Sequence, residues 1–107
     1  MAVVSMMRFP GNPDELAAKA REHLYPVSEQ LAAKHGGLVT IMARDGDDGI
    51  LIINVWETEE GRHAMSEEPE ILEAVSAAGF PPPAFTGYEI LEFRVGDRAA
   101  EVAGGGW

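Results

Sequence analysis

Asn54, Trp56 and His63 lie within one short stretch, and they carry most of the chemistry this sequence offers. Histidine titrates near neutrality, so His63 is a candidate general base. Trp56 brings a flat apolar face for stacking and an indole N–H donor. Asn54 sits between Ile52 and Trp56 in an apolar run. A buried amide there needs hydrogen-bond partners, and it can orient a substrate oxygen or stabilise an oxyanion. Each residue also has a plainer role: a helix histidine without function, a core or interface tryptophan, an amide bonded across strands at a dimer interface. Tyr25, Met42, Arg44 and Met65 are the candidate pocket wall. Tyr25 would offer a hydroxyl and the methionines an adaptable lining. Arg44 would offset a substrate's negative charge unless a surface ion pair consumes it.

Other chemistries find little support. His23, His35 and His63 do not place two ligands on one helix face beside a carboxylate, so no metal is expected. Asp45, Asp47 and Asp48 resemble the start of a calcium loop, but Glu57 falls one place beyond the twelfth position and the segment reads as a hairpin. No phosphate-cradling glycine pattern precedes a helix, which argues against a nucleotide. Cysteine is absent, removing disulfides and thiolate chemistry. The expectation is a site with no cofactor.

The elements that must position these residues follow from local signals. Ala2 to Phe9 is a short apolar strand stopped by Pro10-Gly11. Asn12-Pro13-Asp14-Glu15 starts a helix with a capping residue, a proline suited to the first position and acidic side chains in the first turn. Leu16, Ala20, Leu24, Val27 and Leu31 mark its apolar face. Pro26 should kink or split it near Tyr25, and Gly36-Gly37 ends it. Leu38 to Arg44 and Ile50 to Glu57 are strands joined by the polar loop Asp45 to Gly49, hence an antiparallel hairpin. Thr58 caps a second helix that Gly61 and Pro69 weaken or break. Its apolar face is Ile71, Leu72, Val75 and Ala78, and Gly79 ends it. Phe80 to Pro83 is a stiff connector, and Tyr88 to Val95 is the last strand. Residues 1–96 form the domain, and residues 97–107, rich in Ala and Gly, are expected to be a flexible tail.

Strand, helix, strand, strand, helix, strand is the ferredoxin-like α+β order, a four-stranded antiparallel sheet with both helices on one face. Yet the third strand is largely apolar on both sides: Leu51, Ile53 and Val55 on one, Ile50, Ile52, Asn54 and Trp56 on the other. A solvated outer face would be polar. A second copy packed sheet to sheet by a two-fold axis, a dimeric α/β barrel, is the simplest cover. The parity reading puts Asn54 on the face without helices.

Bulk composition narrows the partners. The 107 residues carry 18 acidic and 8 basic side chains, for a net charge of −10. The basic residues are scattered, so nucleic acid and anionic membranes are disfavoured. No basic segment followed by a long apolar run opens the chain, and no apolar stretch reaches bilayer length. The expected location is cytoplasmic.

The order of elements, the strand ending Ile53-Asn54-Val55-Trp56-Glu57 and the helix opening Thr58-Glu59-Glu60-Gly61-Arg62-His63 resemble the antibiotic-biosynthesis-monooxygenase-like family, over about residues 2–95. The most telling piece is a tryptophan closing the third strand, an acidic turn and a histidine on the next helix. The resemblance implies a dimeric α/β barrel with a cavity between sheet and helices in each protomer. It implies oxygenation of aromatic substrates without metal or flavin, the electron-rich phenol or its anion supplying the electrons. Related members degrade haem or handle small metabolites or quinones. Asn54 and Trp56 match the polar residue and tryptophan that lie by the substrate. Ser66-Glu67-Glu68-Pro69-Glu70 lacks the second histidine many relatives carry, and Val3 to Arg8 lacks the asparagine typical of haem degraders. Two readings follow: a cofactor-independent monooxygenase-like protein for a small aromatic or quinone-like metabolite, built on Trp56, Asn54 and His63, or a non-catalytic dimeric barrel that binds a small hydrophobic ligand or serves as an assembly module.

Overall fold

The computed structural model describes residues 1–81 and 84–102. Strand β1 spans Val3–Pro10. Asn12 then caps helix α1 (Pro13–Lys19), its side-chain oxygen accepting the Glu15 N–H at 3.0 Å. Pro26 has no N–H to give, so the α-helical ladder cannot run through it unbroken. The chain widens into a π turn at Ala20–Leu24, where the Tyr25 N–H reaches the Ala20 carbonyl, and resumes as α2 (Tyr25–His35). The split falls where the proline places it. The π turn also moves the buried stripe on by one position: Ser28 and Ala32 are the buried residues of α2, in place of the expected Val27 and Leu31. Gly36 ends α2 in the left-handed region at φ 75°.

Strands β2 (Gly37–Arg44) and β3 (Gly49–Trp56) form the expected hairpin, closed by the Asp45 N–H on the Gly49 carbonyl at 2.9 Å. Thr58 caps α3 (Glu59–Ser66), its hydroxyl accepting the Gly61 N–H at 3.0 Å. Pro69 opens a separate α4 (Pro69–Ala78). Gly61 is required by a close approach, since a Cβ there would lie 2.1 Å from the His35 carbonyl oxygen at the end of α2. A β-bulge between Gly37 and Val39 adjusts the start of β2 against β3.

The last strand differs from expectation. β4 spans Ala84–Glu89 rather than Tyr88 to Val95. It pairs with β1 from Val3↔Glu89 to Arg8↔Ala84, and the Ile90 N–H on the Ala2 carbonyl is the last rung. Past Ile90 the partner strand has run out, so among the described residues Leu91 to Val95 has no strand to pair with. Pro82 and Pro83 of the expected connector lie outside the described residues. In the expected tail, Ala99–Val102 forms one exposed helical turn, α5, and residues 103–107 lie outside the described set.

The sheet order is β2-β3-β1-β4, antiparallel throughout. This is the ferredoxin-like α+β arrangement. The helices cover the face bearing Phe9, Ile50 and Ile52, which cluster with Leu16 and, at the edge, Met7, Met42 and Phe80. The Phe9 and Phe80 rings meet at 4.9 Å between centroids.

One placement is corrected here. Asn54 shares its parity with Ile50, Ile52 and Trp56, and that is the helix-covered face, not the open one. The other face carries Val4, Met6, Val39, Leu51 and Ile53 half-buried, with Ile41 48% and Tyr88 58% exposed.

Candidate functional site

Sheet and helices do not close completely on each other. Between them lies a cavity of about 260 Å³, slightly below the usual range of about 300–1,000 Å³ for small-molecule sites. Alternate residues of β1 (Ser5, Met7, Phe9) and of β3 (Ile52, Asn54, Trp56) form its floor, as the two-residue period of a strand demands. The π turn and the start of α2 bring Leu24, Tyr25 and Ser28 over it. Met65 and Ser66 of α3 and Ile71, Leu72 and Val75 of α4 complete the helical wall, and Phe85 reaches in from β4. π turns inside helices recur at functional sites, and here the extra residue turns Tyr25 and Ser28 towards the cavity.

The polar groups on the floor are arranged in pairs. The Trp56 indole N–H donates to the Ser5 hydroxyl at 3.3 Å, and Ser5 is only 2% exposed. Asn54, itself buried, accepts the Thr40 hydroxyl through its side-chain oxygen. Its amide nitrogen has no acceptor among the described residues, which leaves a donor at the cavity floor. Burial pushes the Tyr25 hydroxyl above the ordinary tyrosine range, a rise opposed by the nearby Arg21 charge. Tyr25 therefore remains a neutral donor at physiological pH.

Among the described residues, Arg62 is the only charged one lining the cavity. Its guanidinium lies 4.8 Å above the centre of the Phe85 ring. Its Nε and Nη2 bond the Glu59 carboxylate at 2.6–3.1 Å. That contact holds the Glu59 carboxyl below the usual glutamate range.

The sequence-derived candidates divide. Trp56, Asn54, Tyr25 and Met65 converge on the cavity. His63 does not: its side chain is 63% exposed and paired with Glu67 at 2.9 Å one turn on. At 100° per residue, the helix that turns Arg62, Met65 and Ser66 inward turns His63 out. Arg44 is spent on Asp14 at 2.8 Å at the surface. Met42 points to the same sheet face but packs against the Phe9–Ile52 cluster beside the cavity. Ser5 and Arg62 were not foreseen. Ser5 has the parity of Met7 and Phe9, and Arg62 stands three residues before Met65 on the same helix face, so both signals were present in the spacing. Among the described residues no group of three histidine, cysteine or acidic side chains is placed to hold a metal.

No protein-family model matches this sequence, and no curated protein matches it. Solved structures do. SnoaB from Streptomyces nogalater, a cofactor-independent oxygenase, superposes with a TM-score of 0.65 at 17% identity, covering 86% of this chain and 95% of its own. Rv0793 from Mycobacterium tuberculosis gives 0.67 at 17% identity, covering 89% and 100%. A candidate antibiotic biosynthesis monooxygenase from Caulobacter crescentus CB15 gives 0.69 at 13% identity, covering 85% and 91%. This chain has the antibiotic-biosynthesis-monooxygenase-like fold. At these identities the likeness is one of fold, extending over nearly the whole of each neighbour. Among the described residues no helix is long and apolar enough to cross a membrane.

Proposed function

We propose that this protein is a cofactor-independent monooxygenase-like enzyme whose substrate is a small, flat, aromatic or quinone-forming molecule bound in the sheet–helix cavity. The observation that carries the reading is the cavity itself: an apolar slot whose floor presents the Trp56 ring and the Asn54 amide N–H donors side by side on one strand. The fold shared with an oxygenase that uses no cofactor supports it.

The balanced reaction is that of a phenol such as 1-naphthol with O₂. One C–H and the phenolic C–OH become the two C=O groups of a quinone, one oxygen atom of O₂ enters the ring and the other leaves as water. The phenol is oxidised by four electrons in all, two with the inserted oxygen and two, with two protons, that reduce the second oxygen to water. The substrate is the reductant, so the protein need supply only binding, orientation and oxyanion stabilisation. Trp56 would stack on the ring. Asn54 and the neutral Tyr25 hydroxyl would donate to the substrate oxygen. His63, out at the surface, has no part in this scheme.

The protomer would work as a pair. The apolar outer face, with Ile41 and Tyr88 exposed, and the unpaired alternation Leu91, Phe93, Val95 at 93%, 47% and 67% exposure suit a second copy. Light scattering is expected to give twice the chain mass at micromolar concentration, and Ile41→Glu is expected to shift it towards the monomer; a wild-type monomer would refute the pairing.

Oxygen uptake with a panel of phenols and naphthols tests the activity. Consumption above the uncatalysed rate should fall at least about tenfold in Trp56→Phe or Asn54→Ala, the scale of one lost transition-state hydrogen bond, and stay unchanged in His63→Ala. Uptake unaffected by either cavity substitution would refute the scheme. The non-catalytic reading, a barrel that only binds a hydrophobic ligand, is the outcome if binding occurs without uptake.

A further inference from the structure

Resting on the assignment of the cavity as the binding site, we infer that Arg62 selects the ligand by charge: the molecule that fits here carries an anionic oxygen, a carboxylate or a phenolate, held by the guanidinium at the cavity wall. Among the described residues every other polar side chain lining the cavity is formally neutral, so Arg62 is the one charged group of its wall. Its side chain is 18% exposed, against 57% for its partner Glu59. The carboxylate thus neutralises the guanidinium from the solvent side. Glu59 engages Nε and one position of Nη2. That leaves three of the five guanidinium N–H bonds without an acceptor among the described residues. A largely buried cation with open donors in an apolar surround is most stable when an anion completes its shell.

The geometry fixes how such a ligand would lie. The guanidinium sits over the ring of Phe85, 4.8 Å from its centre, in a cation–π contact. Glu59, three residues back on the same helix, holds its Nε–Nη2 edge. An oxyanion at Arg62 directs the apolar body inward over Ile52 and Val75, towards Trp56 and Asn54. The chain carries a net charge of −10 and repels free anions elsewhere, which makes a single inward cation an effective filter.

Isothermal titration of 1-naphthoate against its neutral isostere 1-naphthamide, with wild type, Arg62→Met and Arg62→Lys, tests this. Wild type is expected to prefer the anion by at least about tenfold, the scale of a charged hydrogen bond. Arg62→Met should erase the preference while binding 1-naphthamide as before, which also shows that the variant is folded. Arg62→Lys should retain part of it, and added salt should weaken it. Equal binding of both probes by wild type, or an anion preference surviving in Arg62→Met, would overturn the role of Arg62 and leave the cavity assignment standing. Failure of wild type to bind either probe would overturn both.

Discussion

At the scale of single residues, the site is a set of paired polar groups in apolar surroundings, and pairing is what makes their burial tolerable. The Trp56–Ser5 bond is one such pair. Ser5→Ala would remove only the hydroxyl and leave the indole N–H without an acceptor, at a cost of about 1–3 kcal/mol; urea unfolding should show the loss with little change in slope. Which of the residues were legible in the sequence follows from their periods. Strand parity grouped Asn54 with Trp56 correctly, because the period of two tolerates no slippage within β3. It misjudged which side the helices would take, since parity separates the faces without naming them. On α3 the histidine has the more distinctive chemistry, but the helical period from Met65 puts Arg62 on the inward face. His63 at 63% exposure shows that geometry decides first.

At the scale of elements, two glycine and proline positions shape the cavity wall. Pro26 forces the π turn that shifts α2 by one residue, a shift the sequence announced as a break but not as a change of phase. Gly61 lets α3 lie against the end of α2. Glycine in a helix interior normally costs about 1 kcal/mol relative to alanine. Gly61→Ala should nevertheless destabilise, by about 1–3 kcal/mol, because its methyl would overlap the His35 carbonyl and push the helices apart; thermal unfolding reads the sign directly. The same junction holds an ionic tie. Glu68 bonds His35 at 2.7 Å and Lys34 at 3.0 Å. Those bonds, His35 first, hold the Glu68 carboxyl below the ordinary glutamate range. Its pKa is thus lower folded than unfolded, so on acidification the unfolded state takes up the proton first. The stabilisation is present above the ordinary glutamate range and lost as pH falls through the lower, folded value. Urea midpoints between neutral pH and pH 3 should fall less steeply in Glu68→Gln than in wild type. The end of β4 belongs at this scale too: the apolar alternation from Tyr88 to Val95 reads as a strand, but β1 supplies rungs only as far as Ala2, a tertiary limit no local pattern contains.

At the scale of the whole molecule, the fold divides its apolar surface between two tasks. One sheet face builds a core with the helices and leaves a cavity of about 260 Å³ unfilled. The other keeps Ile41 and Tyr88 exposed, as a pairing surface would. The order of elements and the sheet topology were readable from the sequence because turns, caps and apolar periods agree along most of the chain. The cavity was not, since an unfilled space depends on how far apart packed elements stand. That cavity is the central claim, and backbone and side-chain amide shifts on titration with 1-naphthol test it most directly. The expected result is perturbation centred on the Trp56 indole N–H, the Asn54 amide and the Arg62 Nε–H, with the backbone of Tyr25 following. Shifts confined to the outer face around Ile41 and Tyr88, with those cavity groups unmoved, would contradict it.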